Sequence, residues 1–279
     1  MVNLNGSILP SGSNILEGNR AFLFGDGVFE TVKIVDGRIL YLEDHYFRLM
    51  SAMRIVRMEI PMTFTMEYLE SQLLATSFAA GCSDSARARM TIYRNTGGYY
   101  KPLDNTVSFL ITAEPQQSQT YKVESNLYEV DLYKDFYVTK QLLSSIKTTN
   151  RLLNITGSIF ASENDLSNCI LLNDQKNVVE ALNGNLFMLT GNVLVTPPVS
   201  EGCLNGVMRK QVLEIGRKRS DLQIEEAVIS PFDLQKADEL FITNVIVGIQ
   251  PISRYRKKDY GNKVANELLQ QLNTRIRLF

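Results

Sequence analysis

Ser144-Ser145-Ile146-Lys147-Thr148-Thr149-Asn150-Arg151-Leu152 is the stretch on which the reading of this chain turns. Apolar residues recur at helical spacing from about Asn150 to Glu163, so Lys147 stands just ahead of a helix. Further on comes Val178-Val179-Glu180-Ala181-Leu182-Asn183-Gly184-Asn185-Leu186-Phe187, where alternation and the Asn-Gly pair predict strands at 177–180 and 185–189. A lysine amine can form an imine with an aldehyde, and a strand glutamate can hold a proton on a pyridine nitrogen. Those are the two groups a pyridoxal phosphate site needs.

Upstream, Val28-Phe29-Glu30-Thr31-Val32-Lys33-Ile34 reads as a strand. Asp36-Gly37 reads as a hairpin turn and Ile39-Leu40-Tyr41 as the returning strand. Leu42, Tyr46, Leu49, Met50 and Met53 predict a helix over 43–56. Leu69, Leu73, Leu74 and Phe78 predict a second, ended by Gly81. Strands are expected at 88–93 and 107–112. The polar run Glu114-Pro115-Gln116-Gln117-Ser118-Gln119-Thr120 lacks periodicity and reads as a linker. The expected organisation is an N-terminal α+β domain over 1–113, a linker over 114–120, and a C-terminal domain over 121–279 carrying Lys147 and Glu180. In that second part, strands are expected near 126–133, 169–172, 193–196 and 239–243. Helices are expected over 206–219, from Ser230-Pro231, and over 263–276, where Val264, Leu268, Leu272 and Ile276 share one face.

Bulk properties remove several function classes. The 279 residues carry a net charge of −1, with 44% hydrophobic and 21% charged residues. That balance suits a soluble globular chain and offers no basic surface for nucleic acid. The N-terminus does not read as a signal peptide, and no apolar run is long enough for a membrane span. Cys82, Cys169 and Cys203 are odd in number and widely spaced, which fits a reducing cytoplasm. With those three and one histidine, His45, a zinc site of the usual ligands is not expected. A Ser-His-Asp triad would have to use His45, and no Gly-x-Ser-x-Gly turn accompanies it.

Four ordered segments together resemble the class IV, or fold-type IV, pyridoxal-phosphate enzymes. They are Phe22-Leu23-Phe24-Gly25-Asp26-Gly27-Val28-Phe29-Glu30-Thr31 with His45-Tyr46-Phe47-Arg48-Leu49; Lys147-Thr148-Thr149-Asn150; Glu180 through Phe187; and Gly202-Cys203-Leu204-Asn205-Gly206-Val207-Met208-Arg209 with Thr243-Asn244 and Pro251. The group holds branched-chain aminotransferases, D-amino acid aminotransferases and aminodeoxychorismate lyases. The resemblance implies a mixed α+β, α/β fold of two domains, like D-amino acid aminotransferase, with the cofactor between them. It also implies a cytoplasmic homodimer acting on a small amino substrate.

By the same resemblance, Lys147 is the catalytic, imine-forming lysine and Glu180 faces the pyridine nitrogen. Arg48 grips the cofactor phosphate, whose donors are completed by backbone amides at Gly206, Val207 and Met208 and by Asn244 and Val245. Relatives often carry threonine at Met208 and serine or threonine at Val245, so weaker phosphate contact is expected. Phe29, Thr31 and Arg94 are the expected substrate contacts, with Arg94 suited to a carboxylate. Tyr99 and Tyr100 either border the substrate or pack their loop. His45 is expected to hydrogen-bond or pack near Arg48. Asn150-Arg151, and Leu240-Phe241-Ile242-Thr243-Asn244 with Gly248-Ile249 and Pro251-Ile252, are similar to the lyase pattern. Tyr93-Arg94-Asn95 lacks the Arg-Gly pair common there. The lyase reaction is therefore the expectation, with a branched-chain or D-amino acid aminotransferase as the alternative.

Overall fold

The computed structural model describes residues 1–12, 18–82, 85–116, 118–123 and 127–278. The expected linker residue Gln117 and the expected strand start at 126 lie outside them. The chain forms two compact units, Met1–Gln119 with Ile146–Asn150, and Thr120–Ser145 with Arg151–Phe279.

The first unit holds β1 (Val2–Leu4), β2 (Ser7–Leu9), α1 (Arg20–Phe24), β3 (Gly27–Val35), β4 (Arg38–Ile39), α2 (Leu42–Ile55), α3 (Met66–Ala79), β5 (Ser85–Arg94) and β6 (Val107–Pro115). The six strands make one sheet in the order β2-β1-β6-β5-β3-β4. Alternation along the strands decides its faces. Val28, Val32 and Ile34 of β3 join Ala88, Met90 and Ile92 of β5 in a core closed by Leu49 and Met53 of α2 and Leu69 and Leu73 of α3. Each buried valine, leucine, isoleucine or methionine among them contributes roughly 1.5–3 kcal/mol. Phe29, Thr31 and Lys33 point to the other face.

The β3–β4 hairpin turns on Asp36 and Gly37 at φ 48° and 71°, the left-handed pair a two-residue turn requires. The returning strand stops at Ile39, two residues short of expectation, because Tyr41 adopts φ 56° to open α2. Phe78 leaves the buried face of α3 and is 85% exposed. It stands five residues after Leu73, about 140° around the helix. Strand β6 continues through Pro115, opposite Ala86, so the irregular segment starts later than Glu114.

Residues 146–150 group with this first unit, whereas the sequence placed them with the C-terminal part. The cause is backbone pairing along the part of β3 that β4 leaves open. Phe29 N donates to Lys147 O at 2.8 Å, and Thr149 N donates to Gly27 O at 2.9 Å. Thr149 Oγ1 adds a bond to Gly25 O at 2.8 Å.

The second unit holds β7 (Glu129–Val138), α4 (Leu152–Glu163), β8 (Asn168–Asn173), β9 (Val178–Ala181), β10 (Asn185–Thr190), β11 (Val193–Thr196), α5 (Val207–Gly216), β12 (Gln223–Glu226), β13 (Glu239–Asn244), β14 (Gly248–Ile252), β15 (Arg254–Tyr255), β16 (Lys258–Asp259) and α6 (Lys263–Leu278). They form two five-stranded sheets, β12-β11-β10-β13-β14 and β16-β15-β7-β8-β9. Leu186, Leu240 and Ile242 of the first share a core with Val130, Ile170 and Val178 of the second. The α6 face buries Ala265, Leu268, Leu269 and Leu272, and the Glu239 carboxylate accepts from Val264 N and Ala265 N at its start. Ser230-Pro231 does not start an α-helix; only a 3-10 turn forms at Asp233–Lys236. There Ser230 N donates to Asp233 Oδ2 and Phe232 N to Ser230 Oγ, local bonds that compete with a helical ladder.

Candidate active site

Lys147 is held by its backbone at the β3 edge, and its Nζ lies 4.5 Å from the centre of the Phe29 ring. The Arg89 guanidinium carbon lies 3.7 Å from the same ring centre. Arg89 sits opposite Thr31, and Arg87 opposite Lys33, in the β3–β5 register. Paired residues share a sheet face, so Phe29, Thr31, Lys33, Arg87 and Arg89 lie on one face of the sheet, with Phe29 and Arg89 at the Lys147 end and Lys33 and Arg87 further along the strands. Arg87 bonds Glu114 at 2.8 Å. Burial pushes the Lys33 amine below its ordinary range. Arg89 is the functional candidate that the sequence reading missed. The signal available was parity: it is two residues from Arg87 and in phase with Phe29 across the ladder.

Arg94 is corrected. It is buried, and its donors go to Asp26, to the Arg57 and Val56 carbonyls and to Asn105 Oδ1. The guanidinium thus fastens the turn after α2 and the start of β3 instead of presenting itself to a carboxylate. Tyr99 and Tyr100 are 85% and 92% exposed.

On the helix-facing side of the sheet, Arg48 of α2 grips Glu30 with two bonds, Nε to Oε1 at 2.7 Å and Nη2 to Oε2 at 2.6 Å. His45 Nδ1 lies 2.7 Å from Glu30 Oε2. Burial alone would raise the Glu30 carboxyl, but Arg48 and His45 outweigh it and hold it at about 2. Burial pushes the His45 imidazole below its ordinary range, so the ring is neutral and Nδ1 donates to Glu30. The expected local role of His45 beside Arg48 matches this arrangement.

In the second unit, Glu180 of β9 accepts from Leu204 N at 3.0 Å and from Asn185 Nδ2 at 3.4 Å, both on Oε2. Asn185 Nδ2 also donates to Leu204 O at 2.8 Å. Gly206 precedes α5, and no side chain caps that helix. A Cβ on Gly206 would fall 2.0 Å from Asn185 Oδ1, so glycine is required for this close approach. Val207 and Met208 open α5 and are buried. Thr243, opposite Asn185 in the β10–β13 ladder, has a buried Oγ1 with no protein partner. Sequence reading quoted Thr243 only as part of a motif. Asn244 is corrected as a side-chain phosphate donor: its Oδ1 accepts from Ile246 N and Val247 N, and its Nδ2 donates to Asn183 O. It shapes the β13–β14 turn, where Val245 is buried and its carbonyl accepts from Tyr121 OH at 2.7 Å.

The sequence profile of the amino-transferase class IV family matches residues 27–255. The chain belongs to the class IV aminotransferase family. Its curated relatives carry both kinds of activity in their names. A Methanocaldococcus jannaschii protein assigned by name to the branched-chain-amino-acid aminotransferases is 26% identical over 93% of this chain and 88% of its own length. The D-alanine aminotransferase of Bacillus licheniformis is 26% identical over 92% and 89%. The aminodeoxychorismate lyase of Vibrio harveyi is 26% identical over 85% of each. The fold matches the crystal structure of the branched-chain aminotransferase of Thermoproteus uzoniensis at TM-score 0.87, with 21% identity over 99% of this chain and 94% of that one.

Class IV aminotransferases are pyridoxal-phosphate enzymes, and pyridoxal 5'-phosphate is the cofactor of this chain. The residues present fit it. Each unit offers groups of the chemistry it needs: the first a lysine amine at Lys147; the second a carboxylate oriented by two donors, an uncapped helix start and an orphaned buried hydroxyl at Thr243. Among the described residues, no helix is long and apolar enough to cross a membrane.

Proposed function

We propose that this class IV enzyme is an aminodeoxychorismate lyase, converting 4-amino-4-deoxychorismate to 4-aminobenzoate and pyruvate. The observation that carries the reading is Arg89, which shares the Phe29 ring with Lys147, on a sheet face that continues through Arg87 and Lys33, with Glu114 as the acid on Arg87. The lyase substrate carries two carboxylates, which suits a face with more than one cation. The Asn150-Arg151 and Leu240–Asn244 motifs support the same assignment.

When bound, pyridoxal phosphate supplies a carbonyl for amines and an electron-withdrawing ring that acidifies the neighbouring C–H bond. In the proposed roles, Lys147 holds the cofactor covalently and, once displaced, removes the proton from the carbon bearing the substrate amine. The enolpyruvyl C–O bond then breaks, its methylene gains a proton, and the six-membered ring becomes aromatic. Glu180 hydrogen-bonds the ring nitrogen, its orientation fixed by Leu204 N and Asn185 Nδ2. Arg48, held by Glu30, and the amides of Gly206, Val207 and Met208 take the phosphate. Arg89 takes a substrate carboxylate, with Phe29 and Thr31 beside it.

The test is to supply aminodeoxychorismate, made in situ from chorismate and glutamine by its synthase. Formation of 4-aminobenzoate and pyruvate in equal amounts is expected. Absence of both, with half-transamination of a branched-chain or D-amino acid, would establish the alternative, which the names of the aminotransferase relatives favour.

We further propose that the enzyme works as a homodimer in the cytoplasm. In the first unit Phe22, Leu23 and Phe24 of α1 and Tyr99, Tyr100 and Leu103 are exposed. Buried Arg20 spends three bonds on the carbonyls of Gly97, Gly98 and Tyr99 to hold that loop. A large ordered apolar surface of this kind suits a subunit contact.

A further inference from the structure

Glu201 lies in the connection between β11 and α5, and no step above uses it. It is buried, at 4% exposure, and has an unusually complete set of donors. Lys140 Nζ donates to Oε1 at 2.6 Å, while Asn173 Nδ2 and Asn177 Nδ2 donate to Oε2 at 2.8 and 3.0 Å. Asn173 Nδ2 also reaches the Glu201 carbonyl at 3.2 Å. Burial alone would raise this carboxyl, but those donors outweigh it and hold it below the usual range. Asn173 ends β8, and Asn177 leads into β9, the strand of Glu180.

The chain after Glu201 has little freedom. Gly202 adopts φ 101°, with Thr139 O only 3.1 Å from where a Cβ would be. Cys203 is fully buried, its Sγ 3.5 Å from Pro197 O. Leu204 then places its N–H on Glu180, and Gly206 opens α5. Glu201 meets Asn177, and three residues on in both segments Leu204 meets Glu180. Residues 201–204 therefore form a strap running parallel to 177–180, tied at both ends by a carboxylate.

We propose that Glu201 is a positioning residue: it anchors this strap so that the Leu204 N–H stays on Glu180 and α5 starts where the phosphate amides are needed. The proposal rests on the cofactor role of Glu180 given above. Losing the anchor leaves Lys140 with Gln175 Oε1 alone and Asn177 Nδ2 without its carboxylate, and frees the strap to shift along β9. Displacements near 1 Å cost up to about 10²-fold in catalysis.

The test compares holoenzyme forms of Glu201→Gln, Glu201→Asp and Glu180→Gln. Three quantities are read: the absorption spectrum of bound cofactor as a function of pH, the dissociation constant for pyridoxal phosphate, and kcat against KM. Glu180→Gln calibrates the readout. If it leaves the spectrum unchanged, the role of Glu180 itself is wrong. Glu201→Gln is expected to shift the spectrum and its titration toward those of Glu180→Gln. It should also lower kcat at least about tenfold with a smaller change in KM, and Glu201→Asp should restore part of both. A folded Glu201→Gln enzyme with parental spectrum, cofactor affinity and kcat, differing only in melting temperature, overturns the proposal. Should Glu201→Gln not fold, Asn177→Ala removes one donor at a half-buried position. It must move the same three quantities in the same direction, and parental values overturn the proposal equally.

Discussion

The Glu30–His45–Arg48 cluster makes a strong single-residue prediction. Glu30 titrates at about 2 in the fold against an ordinary 4.5, so its stabilising contribution is full above 4.5 and is lost as pH falls toward 2. His45 is a base held below its ordinary 6.5, so the unfolded chain binds the extra proton first, and stability begins to fall once pH drops below 6.5. Both effects have the same sign. Urea midpoints should therefore decline from pH 7 toward acid, with His45 supplying the limb that begins near 6.5 and Glu30 the limb below 4.5. In His45→Gln that upper limb should flatten; an unchanged profile would show the histidine to be solvated. Arg48 was legible in the sequence through the family resemblance, and His45 because it stands one turn earlier on the same helix face. The Arg94 expectation rested on motif position, which carries no information about which side of a sheet a residue faces. That is settled by register, and the β3–β5 register becomes visible only in the structure.

At the scale of elements, the start of α5 concentrates the most function in the fewest atoms. Gly206→Ala puts a methyl group where Asn185 Oδ1 now lies, while the backbone at φ −73° and ψ 134° accepts alanine without strain. Helix α5 should survive, and Asn185 should move, loosening its bonds to Glu180 and Leu204. We expect cofactor affinity to fall about tenfold, near 1.4 kcal/mol, with circular dichroism unchanged. Equilibrium dialysis with pyridoxal phosphate decides this, and parental affinity would remove Gly206 from the site. Most long elements were legible in the sequence: the α2, α4, α5 and α6 periodicities and the strands at 185–190, 193–196 and 239–244 follow apolar spacing. The strands β1, β2, β12, β15 and β16 were not: β1, β2, β15 and β16 are two or three residues long, too short to carry a period, and β12, Gln223-Ile224-Glu225-Glu226, has a single apolar residue. The Ser230-Pro231 reading failed for a related reason: local capping chemistry was present, but Asp233 closed a turn with it.

For the whole molecule, the grouping of Ile146–Asn150 with the first unit is the feature that sequence order most obscured. A residue flanked by C-terminal elements was assigned to them, while β3 offered the backbone partners that decided its place. The exposed apolar surface at α1 and 97–103 predicts that light scattering will give twice the 31.5 kDa chain mass. Replacing Phe22, Tyr99 and Tyr100 together by serine should halve that value, and a parental protein already at 31.5 kDa would refute the dimer. The central claim, that the Lys147 amine carries the cofactor, is tested most directly by reducing the holoenzyme with borohydride and mapping the modified peptide after trypsin. Modification blocks cleavage at Lys147, so the phosphopyridoxyl group should appear on the peptide spanning 141–151, and Lys147→Ala should carry none. A label on another lysine, or no label in that peptide, would contradict the account.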